Sequence, residues 1–385
     1  MDVVDKLDIL SRDAQYDLSC ACGTKAKEEH RTRGSGGSWI YPVTVASGGS
    51  GIMLKTLLSN ACTSDCRYCP LREESDTRRT SLTPDEIASF FINFLSHKPI
   101  IGIFLSSGII GSAEYTMDRL IASAEILRYR YHYRGYIHIK IIPGASIEAI
   151  NRAMQLASAV SLNIETPGIN HFSKLTHKKD YMKDIIEPLK YISQMSQKGS
   201  PFQKVHTTSQ FIVGASDESD KEILSYSYNM YDHLKFDRLY FSAYQGGLGD
   251  PTIPGEIKKR EIDQLPFSLS HTSKEDYVIT REHRLYQADF LFRQYNFSYD
   301  DLVFGKEGNL DLSKDPKEVW ATKHQEFFPV SLKKGSKEEL LRVPGIGPLT
   351  AQKIVNMRKN TPLSDIYQLN LPRSLYSKAK KYIIL

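Results

Sequence analysis

Apolar runs with the two-residue period of strands alternate along this 385-residue chain with segments of helical period, and that alternation leaves few folds open. Strands are expected at 52–58, 101–106, 136–142, 160–165, 207–213 and 238–243. Helices are expected between them, at 84–96, 115–131, 146–157, 180–197 and 217–233. Thr83 and Pro84 are a good helix start, an N-cap followed by proline in the first turn. Six such units predict an α/β fold, a parallel sheet with covering helices, either open and doubly wound or a partial barrel. In both cases ligands sit at the carboxyl ends of the strands. A helix over 1–19, a charged and then Gly/Ser-rich loop at 25–37, a strand at 38–45 and a turn at 47–51 are expected ahead of the repeats.

The loop after the first repeating strand reads Asn60-Ala61-Cys62-Thr63-Ser64-Asp65-Cys66-Arg67-Tyr68-Cys69-Pro70 and holds three of the five cysteines. Three thiolates at this spacing match three irons of a 4Fe-4S cluster and leave the fourth iron without a protein ligand, open for chemistry. A structural zinc is the competing reading, but zinc normally takes four protein ligands and the remaining thiols, Cys20 and Cys22, lie some forty residues away. Those two are too few for an auxiliary cluster and read as buried or incidental. An odd cysteine count with three thiols reserved for metal places the chain in a reducing compartment, the cytoplasm. The N-terminus lacks a signal-peptide core, and no apolar run approaches the ~18 residues of a membrane span.

Other strand ends carry polar or small residues. Ser106-Ser107-Gly108 lets backbone groups approach a ligand. Ser161, Asn163 and Glu165 share one face at period two, placed for ribose hydroxyls or for a solvated strand edge. His138 and Lys140 share a face as well; His138 reads as a core histidine. The stretch 246–280 is irregular and reads as a substrate-covering lid, followed by an amphipathic helix from Arg281 with Leu285, Ala288, Phe292 and Tyr295 on its buried side.

The last informative stretch runs from Ser336 to Val355, two short helices joined by Pro344-Gly345-Ile346-Gly347. It looks like a helix-hairpin-helix element, whose glycines permit a tight turn with N–H groups free for a nucleic-acid phosphate. Gly345, Ile346 and Gly347 form the turn, and Thr350, Lys353 and Arg358 supply donors and charge. A poorer second copy is expected at 363–382. Residues 331–385 hold eleven Lys and Arg against three Asp and Glu, a local charge of +8, whereas the first 330 hold 39 against 42. The tail is therefore the segment suited to an anionic partner, a solvated basic surface being the plain alternative.

The cysteine spacing, with an aromatic before the last cysteine, resembles the signature of the radical S-adenosylmethionine (radical SAM) superfamily. That resemblance implies that S-adenosylmethionine chelates the open iron and that Tyr68 packs beside its adenine. Ser106, Ser107 and Gly108 stand where the superfamily has a Gly-Gly-Glu-type segment for the methionine amine. Gln210, Ile212 and Gly214 match its adenine-packing strand, with Gln210 replacing the usual glycine; Lys140, Asn163 and Glu165 complete the cofactor group. As a whole the chain is similar to the DNA modification/repair radical SAM family, on Tyr16 to Cys20, Asn60 to Cys69, Phe104 to Gly108, Gly135 to Lys140, Ile142 to Ala145, Asn163 to Glu165, Ile212 to Ala215, Tyr240 to Tyr244, Arg281 to Asp289 and Leu340 to Gly347.

The likeness implies a partial (β/α)6 barrel at 53–245, preceded by 1–52 and followed by a lid and helical extension at 246–330. A small all-α helix-hairpin-helix domain at 331–385 completes the chain. It implies a cluster on Cys62, Cys66 and Cys69, cleavage of S-adenosylmethionine to a 5′-deoxyadenosyl radical, and attack on a nucleotide in DNA. Tyr240, Tyr244 and Tyr286 are its candidates for returning a hydrogen atom. The implied partners are DNA, a uracil-DNA-glycosylase-like protein and an external electron donor, with no membrane. An RNA (tRNA)-modifying radical enzyme and a non-catalytic iron-sulfur nucleic-acid-binding protein remain the alternatives.

Overall fold

Strand order in the main sheet follows the order of the chain. The computed structural model describes residues 1–14, 40–44, 50–264, 274–360, 368 and 372–385. Within them β1 (Ile40–Thr44) pairs antiparallel with β2 (Ser50–Leu57). Then β3 (Gly102–Ser106), β4 (Tyr136–Lys140), β5 (Ala159–Ser161), β6 (His206–Val213) and β7 (Arg238–Ala243) add in succession, all parallel to β2. Six parallel strands with helices between them form the partial (β/α) barrel; α1 (Val3–Asp13) precedes the sheet.

The helices between the strands are α2 (Pro84–His97), α3 (Ala113–Glu125), α4 (Ile147–Leu156), α5 (Ile169–Leu175), α6 (Glu187–Ser196) and α7 (Asp220–Asp232). The capping of α2 is as the sequence predicts: Thr83 and Glu86 bond each other's backbone N–H in a capping box, with Pro84 at the first helical position. Two of the expected helices are instead composite. The helix α3 continues as a π-helical turn at Ile126–Arg130, and α6 is preceded by one at Tyr181–Ile186.

The two faces of the sheet differ sharply. Leu54, Ile103, Leu105, Ile137, Ile139, Val160, Leu162, Phe211, Leu239 and Phe241 occupy the outward positions and are fully or almost fully buried. Transferring this apolar area from water drives the assembly. The register places Lys55, Phe104 and His138 in one row on the other face, and Lys140, Ser161, Thr208 and Arg238 in the next. In a closed eight-stranded barrel branched apolar side chains fill this face; here it is polar.

The expected fourth strand, 160–165, is shorter than its composition implies. It ends at Ser161, and the chain leaves it in a bend that sets Glu165 at φ 65° with a single bridge to Phe211. The stretch 246–280 is not wholly irregular, because α8 (Pro254–Asp263) lies inside it; residues 265–273 fall outside the described residues.

The chain divides into two units, Met1–Glu218 with Asn229–Val278, and Ser219–Tyr228 with Ile279–Leu385. In the second, Arg281 of α9 (Lys274–Gln294) donates to Asp220 at 2.7 Å, and Asp289 is paired with Arg293 at 2.6 Å. Asp220 and Asp289 are completely buried, so this helix turns charge inward as well as Leu285 and Ala288. Further on lie α10 (Pro316–Lys323), β8 (Val330–Ser331), α11 (Lys337–Arg342), α12 (Pro348–Asn360), α13 (Arg373–Ala379) and β9 (Ile383–Ile384), with β8 and β9 paired in parallel. The helices α11 and α12 close over a core of Leu340, Leu341, Val343, Ile346, Ala351 and Ile354. Gly345 in their turn has φ 85°, and a Cβ there would lie 2.4 Å from the Leu375 carbonyl, so both backbone angle and space demand glycine. The turn of the expected second hairpin, Leu369-Asn370-Leu371, lies outside the described residues.

Candidate metal and cofactor site

The cysteine loop is shaped by side chains bonded to its backbone. Arg79 donates to four carbonyls, those of Asn60 at 2.5 Å, Leu71 at 2.9 Å, Arg72 at 2.7 Å and Ser75 at 3.0 Å. Asn60, fully buried at the loop entrance, accepts from the Thr80 N–H at 2.7 Å and donates to Asp13 at 2.6 Å and the Arg78 carbonyl at 2.8 Å. Between the first two cysteines, Asp65 accepts from the Thr176 hydroxyl at 2.5 Å and from the N–H groups of His177 at 2.7 Å and Lys178 at 3.3 Å. Burial works against the ionised Asp65 carboxyl, but these three donors outweigh it and hold its pKa below the usual range. The loop thus fastens the segment after α5 across the top of the sheet.

Lys179 follows from that fastening. Its Nζ lies 2.9 Å from the Cys66 sulfur. Burial disfavours the ammonium, yet the negative charges of Cys66 and Glu165 more than offset it and raise the pKa above the ordinary lysine value. Backbone and hydroxyl groups reach all three sulfurs: Ile109 N–H to Cys62 at 3.4 Å, Leu71 N–H to Cys69 at 3.4 Å, and the Ser64 hydroxyl beside Cys66 at 3.2 Å. Burial first, then the neighbouring Cys66, pushes the Cys69 thiol up to about 12. A buried thiol of this kind ionises when a cationic centre compensates it.

The sulfurs line one cavity of about 130 Å³ together with Tyr68, Ser106, Ser107, Gly108, Lys140, Asn163, Glu165, Gln210 and Ile212. Among the described residues no three His, Cys, Asp or Glu side chains converge closely enough to hold a single ion. The three thiols line the cavity together, the arrangement that a cluster on three cysteines requires. Gly108 tightens one wall: a Cβ there would stand 2.5 Å from the Ala61 carbonyl oxygen and 3.2 Å from Cys62 Cβ. The buried Gln210 side-chain nitrogen, in the lining of the same cavity, has no hydrogen-bond partner among the described residues, as expected of a group reserved for a bound ligand. Glu165 accepts from the Tyr68 hydroxyl, whose pKa burial and this carboxylate together drive well above normal. The donor set, the snug backbone and the spare amide fit a 4Fe-4S cluster with S-adenosylmethionine beside it.

Of the residues the sequence assigns to the cofactor, Gly214 alone is absent from the cavity lining; it ends β6 at φ 88° and donates to Glu218 at 2.6 Å. The three tyrosines do not come together. Tyr244 donates to the Glu256 carboxylate and packs with Tyr68, Ile212 and Ile253. Tyr240 is the register partner of Gln210, and Tyr286 is a buried residue of the second unit. In the hairpin, Ile346 is a core residue whose carbonyl accepts from Lys317 at 2.6 Å, and Arg358 donates to the Gly335 carbonyl at 2.5 Å. Gly347, Thr350 and Lys353 stay near or on the surface. Cys20 and Cys22 lie outside the described residues.

Sequence reasoning missed Asp65, Arg79 and Lys179. Their only signals were an acid inside the cysteine spacing, the pair Arg78-Arg79 and the basic run His177-Lys178-Lys179.

Residues 56–226 match the family model described as the Radical SAM superfamily. No protein of curated function matches the chain in sequence. Among solved structures, methylornithine synthase (PylB) is similar at 13% identity and TM-score 0.43, over 60% of this chain and 62% of that one. The FeFe-hydrogenase maturase HydG from Carboxydothermus hydrogenoformans is similar at 14% identity and TM-score 0.43, over 84% of this chain and 81% of that one. The radical S-adenosylmethionine methyltransferase TsrM from Kitasatospora setae is similar at 14% and 0.42, over 55% and 39%. The chain thus spans less than two thirds of the length of methylornithine synthase, and likenesses at this level carry no argument about substrate. Family match and site geometry together identify residues 56–226 as a Radical SAM superfamily domain, whose cofactors are a 4Fe-4S cluster and S-adenosylmethionine.

Proposed function

We propose that the chain is a radical SAM enzyme that modifies or repairs a nucleotide in DNA. The observation that carries the DNA part is the tight turn between α11 and α12 at Gly345 to Gly347, set in a C-terminal segment of local charge +8. Backbone N–H groups at the start of a helix and a surplus of lysine and arginine are the means by which such turns hold phosphates.

When bound, the cluster and S-adenosylmethionine supply reductive cleavage to methionine and a 5′-deoxyadenosyl radical that takes a hydrogen atom from the nucleotide. This chain's own residues orient and shield. Cys62, Cys66 and Cys69 would hold the cluster, and Tyr68, Ser106, Ser107, Gly108, Asn163, Glu165, Lys179, Gln210 and Ile212, which line the same cavity, would bind the cofactor and shield it from water. Tyr240 is the tyrosine best placed to return a hydrogen atom, being beside Gln210 on the same sheet face. A target base inside the barrel must be extruded or single-stranded. An external electron donor and a uracil-DNA-glycosylase-like partner belong to the same proposal on the family resemblance, and a cytoplasmic setting belongs to it on the cysteine usage.

Anaerobically reconstituted protein with a strong reductant is expected to release 5′-deoxyadenosine, and Cys66→Ala is not. Binding of single-stranded DNA, duplex DNA and tRNA then separates the substrates. Lys353→Glu with Lys359→Glu is expected to weaken DNA binding and flatten its salt dependence while cofactor cleavage persists. Preference for tRNA would replace DNA by RNA, and absence of 5′-deoxyadenosine from the wild type would remove the enzyme reading.

A further inference from the structure

Unpaired positive charge gathers at the edge of the sheet away from the cofactor. The first 330 residues hold slightly more Asp and Glu than Lys and Arg. Yet the segments leading into β3 to β7, at 98–101, 131–135, 157–158, 197–205 and 233–237, carry Lys98, Arg134, Lys198, Lys204 and Lys235 against one carboxylate, Asp237. All five segments belong to the first unit and, the strands being parallel, reach its amino-terminal edge; the cysteine loop and Ser106 lie at the carboxyl edge. Lys98, Arg134, Lys198 and Lys204 are exposed and meet no carboxylate among the described residues, and Lys235 comes only within 3.8 Å of Asp232.

Lys198, Lys204 and Lys235 line one cavity of about 660 Å³ with His206 and Asp237, whose carboxylate accepts from the Thr207 N–H at 2.7 Å. Three ammonium groups round one hollow repel one another, and a polyanion entering it relieves that repulsion. Two strands away, roughly 10 Å at the spacing of a sheet, the chain reads Arg128-Tyr129-Arg130-Tyr131-His132-Tyr133-Arg134. Arg128 ties this segment down through the carbonyls of Leu156, Tyr133 and Gly135, at 2.9, 2.8 and 2.8 Å. Tyr133 turns inward, its ring edge-on to Phe91 at 5.0 Å. Tyr129 and Tyr131 turn outward, 67% and 37% exposed, and neither hydroxyl nor ring has a partner among the described residues. Aromatic rings held open to water on an anchored segment forgo the burial that is their usual contribution. Set among cations, they have the makeup of a stacking platform, since every base has a flat face and the charges beside it take the phosphates. A duplex hides those faces, so the matching ligand is a single strand.

We infer that the amino-terminal edge of the sheet binds single-stranded nucleic acid, with phosphates at Lys198, Lys204 and Lys235 and bases on Tyr129 and Tyr131. The reacting nucleotide lies at the other edge, so this surface grips a flanking stretch of the strand. That the strand is DNA rests on the function proposed above; the contacts themselves suit RNA equally.

The test is fluorescence anisotropy of the full-length protein with a labelled oligothymidylate, an oligouridylate and a DNA duplex over a series of salt concentrations. Lys198→Gln with Lys204→Gln, both at exposed positions, is expected to weaken oligothymidylate binding and to make the slope of log affinity against log salt shallower by roughly 1.4, about 0.7 for each phosphate contact. Tyr129→Ala with Tyr131→Ala is expected to lower that affinity about tenfold or more at unchanged slope, with duplex binding and S-adenosylmethionine cleavage as in the wild type. Wild-type affinity and slope in both variants overturns the inference. So does a loss confined to one pair, which would leave anion contacts without bases or bases without a basic edge. A stronger hold on the oligouridylate through the same residues keeps the surface and removes DNA from the proposed function. Undiminished DNA binding in Lys353→Glu with Lys359→Glu, beside a loss in these two variants, fails the hairpin and keeps the edge.

Discussion

The amine of Lys179 stands 2.9 Å from the sulfur of Cys66, and Asp65, one residue before that cysteine, is what holds it there. The same short stretch thus provides a metal ligand and the anchor for a cation beside it. Replacing Lys179 by Met removes a positive charge at the cluster. The reduction potential is expected to fall by roughly 50–100 mV, since nearby charge and hydrogen bonds to sulfur are among the determinants of cluster potential. An electron-paramagnetic-resonance redox titration reads this directly, and Lys179→Arg should restore most of it. An unaltered potential in Lys179→Met would place the amine away from the cluster.

Asp65→Asn keeps the shape and loses the charge. About 1–2 kcal/mol of local stability should go with its charge-assisted bonds, and iron should pass to a chelator faster than from the wild type. The pH dependence has a definite sign. Because the native carboxyl titrates below its unfolded value of about 4, its contribution is complete above that value and drains away as the pH drops through the native one. Acid unfolding curves of the variant should therefore be shallower below pH 4.

Gly108→Ala should cost cluster and cofactor together. The added methyl would press on the Ala61 carbonyl and Cys62 Cβ, spreading the wall that joins the cysteine loop to β3. Iron content per chain after reconstitution, with S-adenosylmethionine affinity measured on the loaded fraction, is the readout; full loading and wild-type affinity would show that the wall yields freely.

In the second unit, Lys317 is buried and its pKa is pushed down to about 7, mainly by burial, while it donates to the Ile346 carbonyl and lies 4.6 Å from the Tyr295 ring. Between pH 7 and the ordinary lysine value near 10.5 the unfolded chain binds a proton that the folded one lacks, so stability should rise with pH across that window. Below pH 7 both forms are protonated and the cost of burial is complete. Lys317→Met should flatten the rise, seen as a smaller difference between thermal midpoints at pH 7 and pH 9.5.

Gly345→Ala tests the hairpin turn. Its backbone angle and the nearby Leu375 carbonyl leave no room for a methyl, so roughly 1–3 kcal/mol of stability should be lost. Faster amide exchange in α11 and α12, with S-adenosylmethionine cleavage preserved, is the expected pattern.

Much of this was legible in the chain because periodicity is local. The strands at 101–106, 207–213 and 238–243 fall within a residue of those observed, and the cysteine loop lies at the carboxyl edge as its place after β2 required. Asn163 and Glu165 reach the cavity for a reason that alternation does not encode: the strand stops at Ser161 and a bend delivers them. Lys179, Arg79 and Asp65 were invisible because their partners are backbone carbonyls, backbone N–H groups and a sulfur that only the folded loop brings near. Tyr244 looked like a reactive phenol, but a carboxylate 12 residues later occupies its hydroxyl.

Glu165 combines a left-handed backbone with a carboxylate engaged by Tyr68 and main-chain bonds to Gln210 and Ile212 on either side. A residue caught in so narrow a conformational basin has little freedom left to surrender when a ligand arrives. Its ordering is met during folding, so ligand capture at this wall should carry only a small entropic penalty and proceed with scant rearrangement of the chain.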